Sequence, residues 1–180
     1  MTQTLTFRLA RIPTPIGAML IATDEQDRLR VLDWDEHVPR MERLLQRHYG
    51  GAAVLKDGGD ASHPIAERLR AYVAGDIAAI DDIPTQSAGT PFQREVWAAL
   101  REIPAGETWS YGRLAAHIGR PAAVRAVGLA NGANPIGVVV PCHRVIGANG
   151  TLTGYGGGIA RKRWLLEHEG VRLKEERLLL

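Results

Sequence analysis

The only cysteine of the chain, Cys142, follows Pro141 and is followed at once by His143 and Arg144. A thiol becomes a nucleophile when it ionises, and a neighbouring imidazole or guanidinium group stabilises the thiolate. A lone cysteine can equally be a small hydrophobic side chain that packs in the core. These four residues alone support a reactive thiol and a structural thiol about equally.

The geometry that this chemistry needs depends on the backbone around Cys142. The apolar run Val138–Val140 predicts a short buried strand that ends at Pro141. Adjacent residues of a strand point to opposite faces, so Cys142 and His143 cannot pair directly on a strand. Their cooperation therefore requires a turn after Pro141 or a bridging water.

An acidic partner for the imidazole is expected from the last predicted helix, Ile159–Glu169, which Gly170 ends. Its pattern predicts Trp164, Leu165 and His168 on the core side and Arg161, Lys162 and Arg163 in solvent. Glu169 lies in the last turn, where the helix dipole disfavours a carboxylate. We therefore expect Glu169 to have a partner, and an imidazole is a suitable candidate.

The charge is divided unevenly along the chain. Residues 1–90 hold 10 Lys and Arg against 13 Asp and Glu, and residues 91–180 hold 12 against 7. No acidic residue lies between Glu107 and Glu167, an interval that contains Arg113, Arg120, Arg125, Arg144, Arg161, Lys162 and Arg163. A solvated basic face is the simpler explanation. A long basic interval around the cysteine nevertheless favours a polyanionic partner such as nucleic acid.

Two short helices are predicted ahead of the cysteine. Ser110 is a suitable N-cap for Tyr111–Ile118, and Arg120-Pro121 opens a second helix that runs to about Ala130. Two short helices joined by a glycine-containing turn resemble a helix-turn-helix unit.

The second of these helices is unlike a helix that reads bases. Ala122, Ala126 and Ala130 are predicted on one face with Ala123 beside them, and Arg125 is the only charged residue. Base reading in the major groove needs several long polar side chains. A smooth alanine face suits close approach to the backbone or a narrow groove, with Arg125 entering the base stack. Packing of the alanines against another helix is the alternative.

The remaining elements follow from periodicity and turn residues. Strands are predicted at Thr4–Arg11, Ala18–Thr23, Leu29–Trp34 and Ile77–Ile83, and helices at Val38–Tyr49 and Pro64–Ala74. A capping box of Thr90 and Gln93 begins a helix that ends at Ile103-Pro104. Val145–Leu152 predicts a hairpin with an Asn-Gly turn. The glycines after Tyr155 leave room for a flat ligand.

The domain organisation and the compartment follow from composition. A linker within Asp81–Gly89 predicts an N-terminal α+β domain, residues 1–86, and a C-terminal domain, residues 87–180. A single cysteine excludes an internal disulfide and a cysteine-rich zinc site. The sequence has neither an apolar run of membrane-spanning length nor a signal-peptide pattern. We therefore expect a cytoplasmic protein with a reduced thiol and no membrane partner.

The run Pro141-Cys142-His143-Arg144-Val145-Ile146-Gly147 resembles the active-site motif of the O6-alkylguanine-DNA alkyltransferases, or methylated-DNA–protein-cysteine methyltransferases. The resemblance extends from Thr90 to about Gly170. Its other motifs follow in order: Phe92 with Val96-Trp97, Ile103–Thr108, Ser110-Tyr111, Arg125–Gly128, Asn134-Pro135, Tyr155–Gly157 and Trp164–Glu169. The first half is similar only in Pro15-Ile16-Gly17 and the hairpin.

The resemblance implies an α+β protein in which an RNase H-like N-terminal domain precedes a helical, winged-helix-like C-terminal domain with a helix-turn-helix. It implies repair of double-stranded DNA by base flipping and irreversible, single-turnover transfer of an alkyl group from O6-alkylguanine to Cys142. O4-alkylthymine is expected as a second substrate, and the protein is expected to be a monomer without cofactors. Some relatives bind zinc through N-terminal cysteines, which this chain lacks, so no metal is expected.

The matched motifs also imply roles for single residues. His143 would act through a water as the base, Glu169 would orient it, Tyr111 would donate towards the guanine ring, and Asn134 would brace the turn. Arg125 would fill the space of the flipped base, in a DNA surface completed by Ala123, Ala126, Ser110 and Tyr111. The base pocket would be formed by the backbone of Cys142 and by Val145, Tyr155, Gly156, Gly157 and Asn131.

Other functions fit parts of the pattern. A Cys-His hydrolase would need an oxyanion hole and an acyl substrate, and no feature of the sequence indicates either. A protein that recognises lesions without repairing them would lack the acceptor cysteine, whereas Cys142 is present. A helix-turn-helix regulator would need a more polar second helix.

Overall fold

The computed structural model describes residues 4–57 and 63–173, and the structural statements below concern these residues. The chain is mixed α+β and divides into two compact units. The first comprises Met1–Arg94 and Pro135–Val139, and the second comprises Glu95–Asn134 and Val140–Leu180. A domain boundary after residue 86 stays a prediction.

The first unit is built on a four-stranded sheet with the order β3-β2-β1-β4. Strands β1 (Leu5–Ile12), β2 (Met19–Thr23) and β3 (Leu29–Trp34) are antiparallel neighbours, and β4 (Ala53–Asp57) pairs parallel to β1. Helix α1 (Val38–Tyr49) packs Met41 and Leu45 against Phe7, Ala22 and Val31 of the sheet. Helix α2 (Pro64–Val73) follows.

The sequence-based assignment of residues 4–94 of the first unit is largely confirmed, with two errors. Helix α1 has the predicted bounds, because the glycines at 50 and 51 end it. The strand predicted at Ile77–Ile83 is wrong, since Ile77–Ile80 form a 3₁₀ turn. Short apolar runs do not distinguish the two by pattern. Strand β4 was not predicted, because its pairing partner β1 is distant in sequence.

The segment Pro135–Val139 joins the first unit at β3. The amide of Leu32 donates to the carbonyl of Pro135 (3.1 Å), and the amide of Gly137 donates to the carbonyl of Leu32 (3.2 Å). The strand predicted at Val138–Val140 is wrong. These valines are buried, but Val138 has φ 68°, a left-handed conformation that β-branched residues rarely adopt and that no strand contains.

The second unit consists of short helices and a two-stranded sheet. Its elements are α3 (Pro91–Leu100, from Glu95 onward), β5 (Trp109–Ser110), α4 (Tyr111–His117), α5 (Val124–Gly132), β6 (Val145–Ile146) and α6 (Ile159–His168). Strands β5 and β6 are parallel. The Trp97 indole donates to the Ala130 carbonyl (2.8 Å) and so connects α3 with α5.

Local signals located the helix starts of this region, with one exception. The predicted capping box is confirmed, because Thr90 and Gln93 exchange side chain–backbone hydrogen bonds of 3.1 Å each. Helix α5 begins at Val124 and not at Arg120, because Ala123 has non-helical dihedral angles and its amide closes a turn on the Arg120 carbonyl. Ala122 and Ala123 therefore precede the helix.

The hairpin predicted at Val145–Leu152 is also wrong. Val145 and Ile146 pair with β5. The Asn-Gly turn does form, since the Gly147 amide donates to the Thr151 carbonyl (2.9 Å), and Gly150 has φ 80°. A Cβ on Gly147 would lie 2.9 Å from the Thr151 hydroxyl, so this tight turn requires glycine. No helix among the described residues is long and apolar enough to cross a membrane.

Candidate active site

Cys142 begins a single 3₁₀ turn, Cys142–Arg144, directly after Pro141. The turn is closed by the Arg144 amide, which donates to the Pro141 carbonyl (3.0 Å). The Asn134 side chain donates to the Val140 carbonyl (2.8 Å) just ahead of it. Cys142 itself is 8% exposed. The backbone thus supplies a turn after Pro141, one of the two arrangements by which thiol and imidazole can cooperate.

The imidazole of His143 is held by Glu169, as the position of that carboxylate at the end of α6 predicts. His143 Nε2 lies 2.7 Å from Glu169 Oε1, and both side chains are fully buried. Arg144 completes the cluster with Nε 3.0 Å from Oε1 and Nη2 2.7 Å from Oε2. Its Nη1 donates to the Ile103 carbonyl (2.6 Å). The carboxylate is therefore shared by an imidazole and a guanidinium group.

The charges and the burial of this cluster determine the protonation states of Glu169 and His143. Burial alone would raise the pKa of Glu169, but hydrogen bonds from His143 and Arg144 outweigh it and lower the pKa to about 2. Burial lowers the pKa of His143, because it disfavours the imidazolium, and Glu169 offsets this only in part. A carboxylate therefore faces a neutral ring, whose Nε2–H donates to Glu169.

The other ring nitrogen of His143, Nδ1, carries a lone pair when the proton of the neutral ring is on Nε2. It is buried and makes no hydrogen bond within the described part of the chain. A buried polar atom without a partner is uncommon and needs an explanation, and a bound water or a reacting group would supply the missing hydrogen bond. In the Nε2–H tautomer this atom is a proton acceptor, one residue from the thiol.

Helix α6 differs from its prediction in the placement of its basic residues. Arg161 and Lys162 are buried, at 9% and 0% exposure, whereas both were expected in solvent. Arg161 donates to the Gly157 carbonyl (3.1 Å). Lys162 Nζ donates to the carbonyls of Val145 (2.7 Å) and Thr153 (2.9 Å). Position 162 lies three and four residues before the buried Leu165 and Leu166, a spacing that places it on the core face.

The basic interval is consequently a smaller surface than its composition suggests. Arg144, Arg161 and Lys162 are buried, whereas Arg113, Arg120 and Arg125 are exposed and Arg163 is half-buried. Arg113 lies over the Trp109 ring (4.5 Å), and Arg120 pairs with Glu95 (3.1 Å). The exposed arginines of the interval are therefore Arg113, Arg120 and Arg125, and Arg120 is already paired with Glu95.

Helix α5 presents Arg125 and Ala126 to solvent together with Leu129, which is 78% exposed. Its other side buries Val127, Ala130 and Asn131. A common face for Ala122, Ala126 and Ala130 is therefore wrong, because Ala130 packs in the core. The Asn131 Oδ1 atom is buried and makes no hydrogen bond among the described residues.

Tyr111 and the glycine loop lie on neighbouring elements. The Tyr111 hydroxyl is 3.1 Å from Thr153 Oγ1, and Gly128 of α5 faces the Tyr111 ring. Ser110 caps α4 by accepting from the Arg113 amide (3.0 Å), as predicted. In the loop, Gly157 is buried, Gly156 is exposed and Tyr155 is half-buried.

The contacts place several of the predicted site residues in three groups. Cys142, His143 and Glu169 share one buried cluster, and Tyr111 joins Val145 through Thr153 and Lys162. Arg125 and Ala126 occupy a separate exposed face. Sequence reasoning offered Arg144 as a group that could stabilise the thiolate, whereas its guanidinium group binds Glu169 in the structure. It gave no site role to Lys162, although the α6 periodicity marked that residue.

Three comparisons with known proteins bear on this arrangement. Residues 91–171 match the family model described as 6-O-methylguanine DNA methyltransferase, DNA binding domain. A methylated-DNA–protein-cysteine methyltransferase of Salmonella typhimurium is 54% identical over 163 residues, covering 91% of this chain and 95% of that protein. Its counterpart from Mycobacterium tuberculosis is 60% identical over 132 residues, covering 72% and 79%.

A solved structure agrees with these relatives. The OGT protein of Mycobacterium tuberculosis, crystallised in complex with DNA, has 44% sequence identity and a TM-score of 0.73, and the match covers 91% of this chain and 92% of that one. The chain belongs to the family of methylated-DNA–protein-cysteine methyltransferases.

Proposed function

We propose that Cys142 accepts the alkyl group when this protein repairs O6-alkylguanine in double-stranded DNA. The protein is a DNA-repair methyltransferase of its family, which transfers a methyl group from methylated DNA to a protein cysteine. The observation that carries the assignment is the Nδ1 atom of His143, a buried proton acceptor without a partner beside the only thiol of the chain.

The proton of the thiol leaves through His143. Because Nε2–H of His143 is bound to Glu169, only Nδ1 is available, and a single water between Nδ1 and the sulfur completes the path. The imidazolium that forms is stabilised by the Glu169 carboxylate. Glu169 therefore acts by orienting and polarising His143 and does not touch the substrate.

The thiolate then attacks the alkyl carbon on O6. A sulfur–carbon bond forms, the carbon–O6 bond breaks, and its electron pair passes into the guanine ring. The Tyr111 hydroxyl donates a hydrogen bond to the ring and so stabilises the departing base. The base takes up one proton from water to become guanine, and the His143 imidazolium releases the thiol proton to water, so that charge and protons balance. The product is a thioether on Cys142, which has no simple route back to a thiol, so each molecule reacts once and needs no cofactor.

The damaged base reaches the thiol by flipping out of the duplex. Arg125 is exposed on α5 between Val124 and Ala126, and we assign it to the space that the base vacates. Ala123, Ala126, Ser110 and Tyr111 complete the contact with the minor groove. The pocket for the flipped base is formed by Val145, Tyr155, Gly156, Gly157 and Asn131, with Asn134 bracing the Cys142 turn.

The order of the strands supports a more specific assignment of the fold of each domain. A sheet ordered β3-β2-β1-β4, with only β4 parallel, is compatible with an RNase H-like domain at residues 1–86. Helices α4 and α5 with the small β5–β6 sheet are compatible with a winged-helix-like domain with a helix-turn-helix at residues 87–180. We assign a monomer in the cytoplasm, where a reducing environment keeps the thiol of Cys142 reduced. O4-alkylthymine is a further substrate.

The acceptor is tested with a duplex that contains one O6-methylguanine and an equimolar amount of protein. Intact-mass analysis is expected to show one added methyl group, mapped by proteolysis to Cys142, with guanine restored in the DNA. Cys142→Ser is the matched control, since it keeps the size of the side chain. Methyl loss from DNA with Cys142→Ser, or turnover of many equivalents by the wild type, would contradict the assignment.

The role of Arg125 is tested by comparing two substrates. Arg125→Ala is expected to slow repair of the duplex by about 10- to 100-fold, because base extrusion costs a few kcal/mol. It should leave the reaction with free O6-benzylguanine nearly unchanged. Arg120→Ala removes the same charge from another exposed position and controls for general electrostatics. Equal losses with both substrates would exclude the stack-filling role.

A further inference from the structure

The hydroxyl of Thr153 contacts a group of the proposed reaction, although Thr153 itself has no role in that reaction so far. Thr153 Oγ1 lies 3.1 Å from the hydroxyl oxygen of Tyr111. Tyr111 is half-buried and Thr153 is exposed. The two hydroxyl groups therefore face solvent together, where a base that enters from solvent can reach them.

The number of protons on the two hydroxyl groups limits how they can be bonded. A tyrosine hydroxyl donates one hydrogen bond, and its oxygen can accept another. In the proposed reaction the Tyr111 proton is donated to the guanine ring, so it is not available to Thr153. The Thr153 hydroxyl is then the donor of the 3.1 Å contact, and the Tyr111 oxygen is the acceptor.

The backbone of Thr153 is held by contacts that do not involve Tyr111. Its carbonyl accepts a hydrogen bond from Lys162 Nζ (2.9 Å), and the same ammonium group binds the carbonyl of Val145 (2.7 Å). Val145 pairs with Trp109 of β5, and β5 leads directly into α4, which begins at Tyr111. Both hydroxyl groups are therefore anchored to the same small sheet.

The ring of Tyr111 is also in contact with α5, because a Cβ at Gly128 would lie 3.8 Å from its Cδ1 atom. Packing of the ring fixes the position of the hydroxyl oxygen. It does not fix the direction of the proton, since a hydroxyl group rotates about its C–O bond. A second donor at that oxygen does, because the two protons then point in different directions.

We propose that Thr153 is a positioning residue for the transfer, whose hydroxyl donates to the Tyr111 oxygen and so directs the Tyr111 proton towards the departing guanine. This inference rests on the proposed role of Tyr111 as the donor to the base. Hydrogen bonds in a chain polarise one another, so donation by Thr153 also makes Tyr111 a stronger donor. Thr153 acts through Tyr111, and no covalent bond to Thr153 forms or breaks.

The experiment measures repair of a duplex with one O6-methylguanine by excess protein. It gives a rate constant at saturation and a protein concentration at half-saturation. Thr153→Val removes the hydroxyl and keeps the shape of the side chain. The rate constant is expected to fall by about 3- to 10-fold, the loss of one neutral hydrogen bond, with the half-saturating concentration unchanged. Thr153→Ser, which restores a hydroxyl, should return the rate constant to nearly that of the wild type.

Thr151→Val is the matched control, because Thr151 lies in the same loop and its hydroxyl donates to Asn149 Oδ1 (2.6 Å) instead of Tyr111. Its rate constant should equal that of the wild type. Circular dichroism establishes that each variant is folded. Thr153→Ala removes the same hydroxyl and takes the place of Thr153→Val if the valine variant does not fold.

A double-mutant cycle with Tyr111→Phe tests whether Thr153 acts through Tyr111. In the Tyr111→Phe background, Thr153→Val should cause no further loss of rate. An equal loss in both backgrounds, or a wild-type rate constant in Thr153→Val, would overturn the inference. So would a raised half-saturating concentration at an unchanged rate constant, which would make Thr153 a DNA contact.

Failure of the proposed function gives a different result. A Tyr111→Phe variant that repairs the duplex at the wild-type rate would refute the role of Tyr111 as the donor, and with it the inference. A Tyr111→Phe variant that is slow, together with a Thr153→Val variant that is not, would refute the inference alone.

Discussion

Each unit of the protein contains a buried carboxylate that is bound by two side chains, Asp24 in the first unit and Glu169 in the second, and the two clusters differ in whether a polar atom at their edge is left unbonded among the described residues. In the first unit, Asp24 is 3% exposed. Its Oδ2 accepts from Arg28 Nε (2.9 Å) and Arg30 Nε (2.7 Å), and its Oδ1 accepts from the amides of Gln26 (2.9 Å) and Arg28 (3.0 Å). These hydrogen bonds occupy both oxygens, and they keep the pKa of Asp24 below its usual value although burial opposes this.

In the second unit, Glu169 is bound as fully by His143 and Arg144, but the cluster ends on His143 Nδ1, which has no partner among the described residues. The comparison shows that buried charge alone does not indicate chemistry. A satisfied cluster fixes a loop, whereas a cluster that leaves one acceptor open beside a nucleophile can move a proton.

The largest expected effect is a loss of stability when the Asp24 cluster of the first unit is broken. Asp24→Ala leaves the buried Arg30 without its carboxylate and should lower the free energy of unfolding by about 3–5 kcal/mol. Urea denaturation measures this loss. Asp27→Asn is the control, since it removes the charge of a carboxylate of the same turn that pairs with Arg8 at the surface and keeps a residue type that tolerates φ 57°, and it should cost at most about 1 kcal/mol.

The folded fraction of Asp24→Ala should react with free O6-benzylguanine at the wild-type rate, because Asp24 takes no part in the transfer. If that rate falls at a temperature where the variant is folded, the distinction between the two clusters is wrong.

The second effect concerns acid stability. The pKa of Glu169 is about 2 in the folded protein against an ordinary value of 4.5, so ionised Glu169 contributes stability that is complete above about pH 4.5. This contribution, about 3 kcal/mol, should be lost as the pH falls towards 2. Urea denaturation at several pH values should show a shallower acid dependence for Glu169→Gln. Parallel profiles for the two proteins would show that the carboxylate is not held in this way.

The smallest effect is on the reaction rate. Glu169→Gln keeps an acceptor for His143 Nε2–H but removes the charge that stabilises the imidazolium. The reaction with free O6-benzylguanine should slow by about 10- to 100-fold, as losses of orienting partners commonly do. Stopped-time mass analysis of S-benzylated protein measures this rate. A wild-type rate in Glu169→Gln would assign the carboxylate to structure alone, like Asp24.

The parts of the fold that sequence predicts are those with local causes. The Thr90–Gln93 capping box, the Ser110 cap and the glycines after α1 each act within one helical turn, and the elements that they bound were located correctly. Strand β4 and the β5–β6 pair depend on partners far along the chain. The Val138–Val140 segment has strand-forming residues, but tertiary contacts override that propensity.

The site was predictable where one residue type implied another. A carboxylate at the end of α6 implied a partner, for which an imidazole was the candidate, and Glu169 is bound by His143 and also by Arg144. Composition failed for the basic interval, because a count of arginines and lysines does not separate those that face solvent from Arg144, Arg161 and Lys162, which are buried. The periodicity of α6 places Lys162 on the same face as the buried Leu165 and Leu166. The residue was nevertheless assigned to solvent because its side chain is charged.

The low exposure of Cys142 has a bearing on the supply of active protein. Each molecule reacts once, so the number of lesions that a cell can repair equals the number of unreacted protein molecules that it contains. Oxidants and small electrophiles in solution consume thiolates in proportion to their accessibility. Cys142 is only 8% exposed, so its burial limits such side reactions. Each molecule therefore remains active for longer, until a flipped base transfers its alkyl group to the thiol.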